Sequence, residues 1–366
     1  MSKSINVTGV TFGVPSDATA VVLNVTVVGP AAKGYLSVYP AGATPPTASN
    51  INYVAGHTIA NLVEVGVGTS GQVSLYSTQS TNVVVDVEGY VSSTALDGIG
   101  AGLYIPLSSP ARICDTRAGN PSHLVAPDTQ CEGDTFSATG GTIPVQVGGD
   151  NLIPSTATAA VLNVTVANPQ TAGYLTVFPK GTNQPTASNV NFASGQVTPN
   201  RVIVPLSASG KISIYSSTAA DVIVDVSGYF SAAGGTGSEF SAEAAPVRIC
   251  DTRPGNPSGL SAPNNKCLGL TIGPGATLPV KVATLAGVPA NAKAVVVNLT
   301  AVTPTTTTYL TVFPGPTKPT ASDLNLTTGV TGANLVVATL NANGKISIFN
   351  NAGSTNVIVD VEGWYS

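Results

Sequence analysis

The chain has 366 residues, of which only 9% are charged, and its formal net charge at pH 7 is −4. This composition provides no basic face for nucleic acid or anionic lipid, so neither is expected as a partner. The chain also lacks the run of about 18 apolar residues that spans a bilayer, and we expect no membrane insertion. Hydrophobic residues reach 43%, and abundant β-branched side chains favour an all-β fold.

Three copies of one unit, here called repeats 1, 2 and 3, make up most of the sequence. The segment around Asn24 recurs around Asn163 and Asn298, each time as Asn-x-Thr within an apolar run. The spacing is that of a whole domain, much longer than the roughly 20 to 50 residues of a solenoid unit. The chain is therefore organised by repetition of a domain-sized unit.

The elements of repeat 1 define the pattern that the other repeats follow. Its predicted strands lie, in chain order, at 5–10, 20–27, 34–40 and 82–90. By sequence, the first of these corresponds to 143–147 in repeat 2 and to 278–282 in repeat 3. Hairpin turns are predicted at Ser70-Gly71, Ser209-Gly210 and Asn343-Gly344, each followed by an alternating strand.

Repeats 2 and 3 begin with an additional segment that repeat 1 lacks. It has the sequence Arg-Ile-Cys-Asp-Thr-Arg and lies at 112–117 and at 248–253. We call this segment the opening block. Whatever structural or binding role it has belongs to repeats 2 and 3.

Side chains alternate along the strand at 20–27 with a period of two. One face is predicted to carry Val21, Leu23, Val25 and Val27, and the other Val22, Asn24 and Thr26. Short strands separated by Gly, Pro and Asn turns are typical of a β-sandwich. We therefore expect tandem antiparallel β-sandwich domains, Ig-like or jelly-roll-like, joined by short Gly/Ser/Ala linkers like beads on a string.

The boundaries follow from the repeats and the linker composition. The expected organisation is a truncated repeat 1 at 1–92, a linker at 93–102, repeat 2 at 103–231, a linker at 232–245 and repeat 3 at 246–366.

Taken together, the motifs resemble a domain repeated in many large exported proteins of actinobacteria. The shared features are the opening block, a Leu-Asn-Val-Thr-Val strand, a Tyr-Leu-Thr-Val-[Tyr/Phe]-Pro strand, an Ala-Ser-Asn-x-Asn turn and a closing Val-Asp-Val-x-Gly-[Tyr/Trp] strand. The resemblance implies a secreted or cell-surface location, often as an appendage to hydrolases or adhesin-like chains. It assigns no activity.

Four cysteines occur at the same spacing in two repeats. Repeat symmetry predicts the disulfides Cys114–Cys131 and Cys250–Cys267, which require an oxidising compartment. A metal site is the rival interpretation, but each repeat offers only two cysteine ligands and no repeated histidine. We expect no metal and no cofactor.

The opening blocks place two arginines on either side of an aspartate. Its charged residues are Arg112, Asp115 and Arg117 in repeat 2 and Arg248, Asp251 and Arg253 in repeat 3. They are expected to form structural ion pairs that hold the disulfide loop. The alternative is a ligand site that grips a carboxylate or a sugar hydroxyl.

Two further sets of polar residues recur within strands. Asn24, Asn163 and Asn298 match a glycosylation sequon, but their place inside a strand favours a packed, hydrogen-bonded amide. Asp86, Asp225 and Asp360 lie between valines in the closing strand, where a satisfied structural carboxylate is expected.

Catalysis is not supported by the histidines. His57 corresponds to Gln196 and Val330, and His123 to Gly259, so no Ser-His-Asp or Cys-His arrangement recurs among the repeats. We expect no enzymatic activity.

The equivalent tyrosines Tyr35, Tyr174 and Tyr309 could form a carbohydrate platform, or they could be half-buried strand residues. The leading interpretation of the whole chain is a non-catalytic, secreted or cell-surface structural or adhesive module. The first alternative is a lectin-like module that binds cell-envelope or environmental glycan. The second is a self-assembling fibre or appendage subunit, since repeat 1 lacks its opening block and would expose a strand edge to another copy.

Overall fold

The computed structural model describes residues 2–9, 13–46, 49–92, 102–150, 152–232 and 237–366. Within these residues the protein is all-β, with six antiparallel sheets and short 3₁₀ turns at Thr69–Gly71, Asp128–Cys131 and Asn264–Cys267. The linker expected at 93–102 lies outside the described residues except for Gly102. No helix in these ranges has the length and apolarity needed to cross a membrane.

Repeat 1 forms two sheets. Its strands are β1 (Ser2–Asn6), β2 (Ala18–Val28), β3 (Gly34–Pro40), β4 (Ile51–Tyr53), β5 (Ile59–Gly66), β6 (Gln72–Ser77) and β7 (Asn82–Ser92). One sheet has the order β1-β6-β3-β4, and the other has the order β5-β2-β7. The second sheet therefore has three strands.

Repeat 2 adds one strand to this plan. Its strands are β8 (Tyr104–Asp115), β9 (Gly141–Gln146), β10 (Ala159–Ala167), β11 (Gly173–Pro179), β12 (Val190–Phe192), β13 (Thr198–Pro205), β14 (Lys211–Ser216) and β15 (Asp221–Phe230). The sheets have the orders β12-β11-β14-β9 and β13-β10-β15-β8. The added strand, β8, contains most of the opening block and pairs with the closing strand β15.

Repeat 3 has the same plan as repeat 2. Its strands are β16 (Phe240–Asp251), β17 (Thr277–Lys281), β18 (Ala294–Val302), β19 (Thr308–Phe313), β20 (Leu324–Leu326), β21 (Gly332–Thr339), β22 (Lys345–Asn350) and β23 (Asn356–Tyr365). The sheets have the orders β17-β22-β19-β20 and β16-β23-β18-β21. Residues 240–245, expected as linker, instead form the beginning of β16.

The register of β1 corrects the sequence alignment of the first strands. Ile5 pairs with Val73, the second residue of β6, whereas Val145 pairs with Ile212, the second residue of β14. Ile5 therefore corresponds to Val145, and the expected match to Ile143 is wrong by two residues. A shift of two leaves every side chain on its original face, so alternation alone could not detect it.

The predicted hairpin turns connect different sheets. The turn at Ser209-Gly210 leads from β13 to β14, which belong to the two separate sheets of repeat 2. Gly210 has a φ of +71°, and a Cβ there would lie 2.2 Å from the carbonyl oxygen of Gly148. The turn needs glycine because it packs against the backbone that follows β9, and the prediction of a hairpin was wrong.

The predicted alternation is confirmed on β2. Val21, Leu23 and Val25 are fully buried in the core between the two sheets of repeat 1. The opposite face is buried as well, because Val22 belongs to a central cluster to which all three repeats contribute. Its buried members are Val22, Leu62, Tyr104, Val161, Ala294, Val296, Leu335, Val337 and Tyr365.

This central cluster excludes the expected arrangement of beads on a string. Phe240, inside the expected second linker, packs against the cluster, and its ring centroid lies 5.2 Å from that of Tyr365. Both faces of the second sheet of each repeat thus carry apolar side chains or asparagine amides. One face covers the core of its own repeat, and the other covers the shared centre.

Candidate functional site

The repeated Asn-x-Thr asparagines form hydrogen bonds between repeats. Asn24 donates to the carbonyl oxygen of Ser188 at 2.5 Å, and Asn163 donates to that of Ser322 at 2.7 Å. Asn298 donates to the carbonyl oxygen of Ser49. These bonds run from repeat 1 to 2, from 2 to 3 and from 3 back to 1, so the three repeats form a closed ring.

A second set of asparagines, which the sequence analysis missed, completes each junction. Asn200 donates to Asn24 Oδ1, Asn334 to Asn163 Oδ1 and Asn61 to Asn298 Oδ1, at 2.9 to 3.0 Å. Each also donates to a carbonyl oxygen of its own repeat at 2.6 Å. The sequence signal that could have identified these asparagines is their recurrence at equivalent positions of the three repeats, in β5, β13 and β21.

The Ala-Ser-Asn turns form a third contact across each junction. Asn50 donates to Glu362 Oε1 at 2.7 Å, and Asn189 donates to Glu88 Oε1 at 2.9 Å. The Oδ1 atom of each asparagine accepts a hydrogen bond from a backbone N–H of its own repeat. The side chain thus fixes its own turn and the neighbouring repeat at the same time.

The junction between repeats 2 and 3 uses different residues for the same contact. Asp323 replaces the asparagine, and Ser227 replaces the glutamate. The buried Arg201 joins them, donating to Asp323 Oδ1 at 2.8 Å and to Ser227 Oγ at 2.7 Å. Leucine occupies the positions equivalent to Arg201 in repeats 1 and 3. Three residues of this junction therefore differ together from those of the other two.

The opening blocks lie in ion pairs with their own closing strands. Arg112 donates to both carboxylate oxygens of Asp225, at 2.8 and 3.1 Å, and Arg248 does the same to Asp360, at 2.7 and 3.0 Å. The recurring strand aspartates of repeats 2 and 3 are therefore paired. Burial raises the pKa of Asp360, although Arg248 acts in the opposite direction.

The remaining charges of each block form a smaller local cluster. Arg117 donates to Asp115 through its side chain and its backbone N–H, and the Ser122 hydroxyl also donates to this carboxylate. Burial raises the pKa of Asp115, but these hydrogen bonds outweigh it and give a net decrease. Asp251, Arg253 and Ser258 repeat the arrangement in repeat 3. The serines were not identified from the sequence.

The disulfides join the same opening blocks to the segments that follow them. The structure joins Cys114 to Cys131 and Cys250 to Cys267, each with Cα atoms 5.3 Å apart, as repeat symmetry predicts. Each bridge ties the opening-block strand to the 3₁₀ turn that follows, and all four cysteines are buried. Disulfides of this kind are typical of proteins that mature in an oxidising compartment.

The tyrosines proposed as a glycan platform each belong to a different repeat. Tyr35 lies beside Tyr76, Tyr174 beside Tyr215 and Tyr309 beside Phe349, with ring centroids about 6 Å apart. Lys318 lies 4.9 Å from the ring centroid of Phe349. Tyr174 is the exposed member of the three, at 37%. Their binding role stays a prediction.

Equivalent loops of the three repeats also meet in one pocket. Its lining includes His57, Gln196 and Val330, which the sequence aligns with one another. Because a histidine, a glutamine and a valine occupy these equivalent positions, the three loops bring no shared catalytic group to the pocket. Among the described residues, no group of three or more His, Cys, Asp and Glu side chains could hold a metal ion.

The chain matches no family model and no curated protein. Among solved structures, it is similar to one described as the triple jelly roll fold and turret assembly of an archaeal virus. That match has a TM-score of 0.17 and 9% identity, and it covers all of this chain and 81% of the other. A VP2 subviral particle of infectious bursal disease virus gives a TM-score of 0.13 and 8% identity, with 95% and 66% covered.

Proposed function

We propose that the chain is a non-catalytic structural or adhesive module of a secreted or cell-surface protein. The observation that carries this proposal is the closed set of hydrogen bonds made by Asn24, Asn163 and Asn298. The recurring polar side chains hold the three repeats to one another. A rigid block that presents three equivalent faces is suited to spacing, anchoring or multivalent contact.

This proposal is tested by the cellular location of the protein, the oxidation state of its cysteines and its activity toward candidate substrates. The disulfides and the resemblance to actinobacterial exported repeats support an extracellular site. We expect the full-length protein to be labelled at the surface of intact cells or recovered from the medium, with Cys114 and Cys250 oxidised. Reduced thiols in the native protein, or turnover of a peptidoglycan or ester substrate by the purified chain, would contradict the proposal.

A lectin-like role is supported by the exposed Tyr174 and the neighbouring Tyr215. A glycan array with the purified protein tests it, using Tyr174→Ala and Tyr309→Ala to identify the binding faces. Binding that either substitution removes would favour the lectin, whereas the absence of any binding across the array would eliminate it.

An assembly role is supported by a different observation, the three-stranded sheet of repeat 1. The equivalent sheets of repeats 2 and 3 have a fourth strand, which carries most of the opening block. Among the described residues, repeat 1 therefore leaves open a strand edge that its sister repeats cover.

A further inference from the structure

The edge of β7 differs from the equivalent edges of the other repeats. β15 pairs with β10 on one side and β8 on the other, and β23 pairs with β18 and β16. Within the described residues, β7 pairs only with β2. Val84 is 47% exposed there, whereas the equivalent Ile223 and Ile358 are each 6% exposed. An exposed apolar strand edge is a template for pairing with another strand.

Asp86 lacks the partner that its equivalents have. Asp225 and Asp360 each accept two hydrogen bonds from an opening-block arginine. In the part of the chain that the structure describes, no side chain donates to Asp86, which is half-buried. Burial raises its pKa. The edge therefore carries an acidic group at the place where its sister strands receive a guanidinium.

The space above Gly89 is the third difference. In repeat 2, a Cβ at Gly228 would lie 2.5 Å from the Tyr104 hydroxyl, and in repeat 3 a Cβ at Gly363 would lie 2.5 Å from the Phe240 ring. The glycine of the closing motif thus makes room for an aromatic residue at the start of β8 or β16. At Gly89, no described atom lies within 4 Å of that position.

A groove runs along this part of β7. Its lining includes the carboxylates of Glu64 and Glu88 and the aromatic side chains of Tyr90, Phe240 and Tyr365. The aromatic lining suits a strand that brings a ring to this end of β7, and a cation on the same strand would meet Asp86 farther along the edge. In β8 and β16 these two groups lie eight positions apart, at Tyr104 and Arg112 and at Phe240 and Arg248.

We propose that the β7 edge of repeat 1 is a strand-acceptor site for an opening-block strand of a second polypeptide. The incoming strand places its arginine opposite Asp86 and an aromatic residue, eight positions earlier, over Gly89. This inference rests on the assembly alternative and names its partner. An intact second copy does not supply the strand, because its own β8 and β16 are paired, ion-bonded and held by disulfides.

The test measures binding of a synthetic peptide to the full chain by titration calorimetry. The peptide copies residues 103–117 with Cys114→Ser. We expect saturable one-to-one binding and slower hydrogen exchange of the β7 amides. Arg112→Ala in the peptide, or Asp86→Ala in the protein, should weaken binding about tenfold or more, since a charge-assisted pair is lost. Arg117→Ala in the peptide is the matched control and should bind as the parent does, because Arg117 donates to Asp115 and Ser122, which are close to it in sequence, and Arg112 is the arginine that meets the closing strand.

Gly89→Val in the protein tests the aromatic position. A Cβ at this position has no described atom within 4 Å, so the variant should fold with an unchanged melting temperature and lose peptide binding. Absence of binding by the parent peptide, or binding that Gly89→Val leaves unchanged, overturns the proposal. If the intact chain associates with itself and Gly89→Val abolishes this association, another copy of the chain is the partner. That result overturns the proposal of a different polypeptide and keeps the assembly role. None of these results bears on the proposed structural function, which depends on the closed ring of the three repeats.

Discussion

At the scale of single residues, the junctions show how one contact can be built from two sets of side chains. Glu362 accepts from Asn50, and Glu88 accepts from Asn189, whereas Ser227 and Asp323 need an arginine between them. Burial raises the pKa of Asp323, and the positive charge of Arg201 opposes that shift. The arginine therefore compensates the buried Asp323, whereas at the other two junctions the glutamate accepts a hydrogen bond from an uncharged asparagine amide.

Arg201→Leu should destabilise the protein, although leucine is native at both equivalent positions. It leaves Asp323 buried without its cation, and breaking a buried pair in this way typically costs about 3–5 kcal/mol. The triple variant Arg201→Leu, Ser227→Glu, Asp323→Asn recreates the chemistry of the other junctions and should recover most of that loss. Urea unfolding of the two variants measures the difference. Equal stability of single and triple variants would show that the three residues are independent.

Stability should fall as pH rises from about 5 to about 8. Burial raises the pKa of Glu64 to about 8, although the hydrogen bond from Tyr365 lowers it, and burial raises the pKa of Glu88 to about 7. The folded protein then holds protons that the unfolded chain has released, so deprotonation favours unfolding over this range. Glu64→Gln should flatten the decrease by ~1.4 kcal/mol or more, the value of one pKa unit. Melting curves at pH 5 and pH 8 test this, and parallel decreases in both proteins would contradict it.

At the scale of elements, the opening block is the feature that separates repeat 1 from its sisters. Its outer pair, Arg112 with Asp225, has side chains only 8% and 2% exposed. The local pair, Arg117 with Asp115, places the arginine at the surface with 30% exposure. The first pair joins two strands, and the second closes a loop.

Arg112→Ala should therefore destabilise the protein more than Arg117→Ala. Removing the buried partner leaves Asp225 uncompensated, for a cost of about 3 kcal/mol or more. Removing the partly exposed Arg117 should cost about 1 kcal/mol, because solvent already screens its charge and Ser122 still donates to Asp115. Denaturant unfolding of the two variants gives the ranking. A larger effect at Arg117 would indicate that the local cluster, and not the strand pair, holds the block.

The strands show what alternation can predict. The core face at Val21 and Leu23 followed directly from the period of two. The pattern could not show whether Val22 and Asn24 face solvent or another repeat, because it separates the two faces without identifying what covers them. The same limit concealed the two-residue offset at Ile5 and the role of Phe240.

At the scale of the whole molecule, the repeat symmetry is closed. Equivalent asparagines could be aligned from the sequence, but their bonds join residues of different repeats, and no local pattern specifies which repeat meets which. Composition, repeat number and disulfide pairing were therefore accessible from the sequence, whereas the ring was not. Its closure follows from the third junction, at which Asn298 returns to Ser49.

The most direct test of this account is the radius of gyration in solution. A compact ring of 366 residues should give a radius of gyration of about 21 Å by small-angle X-ray scattering. Three sandwich domains in a line would give about 30 Å or more, from the size of domains of this length. A value near the first number, with a distance distribution of one peak, is the predicted result. A value near the second would contradict the closed ring.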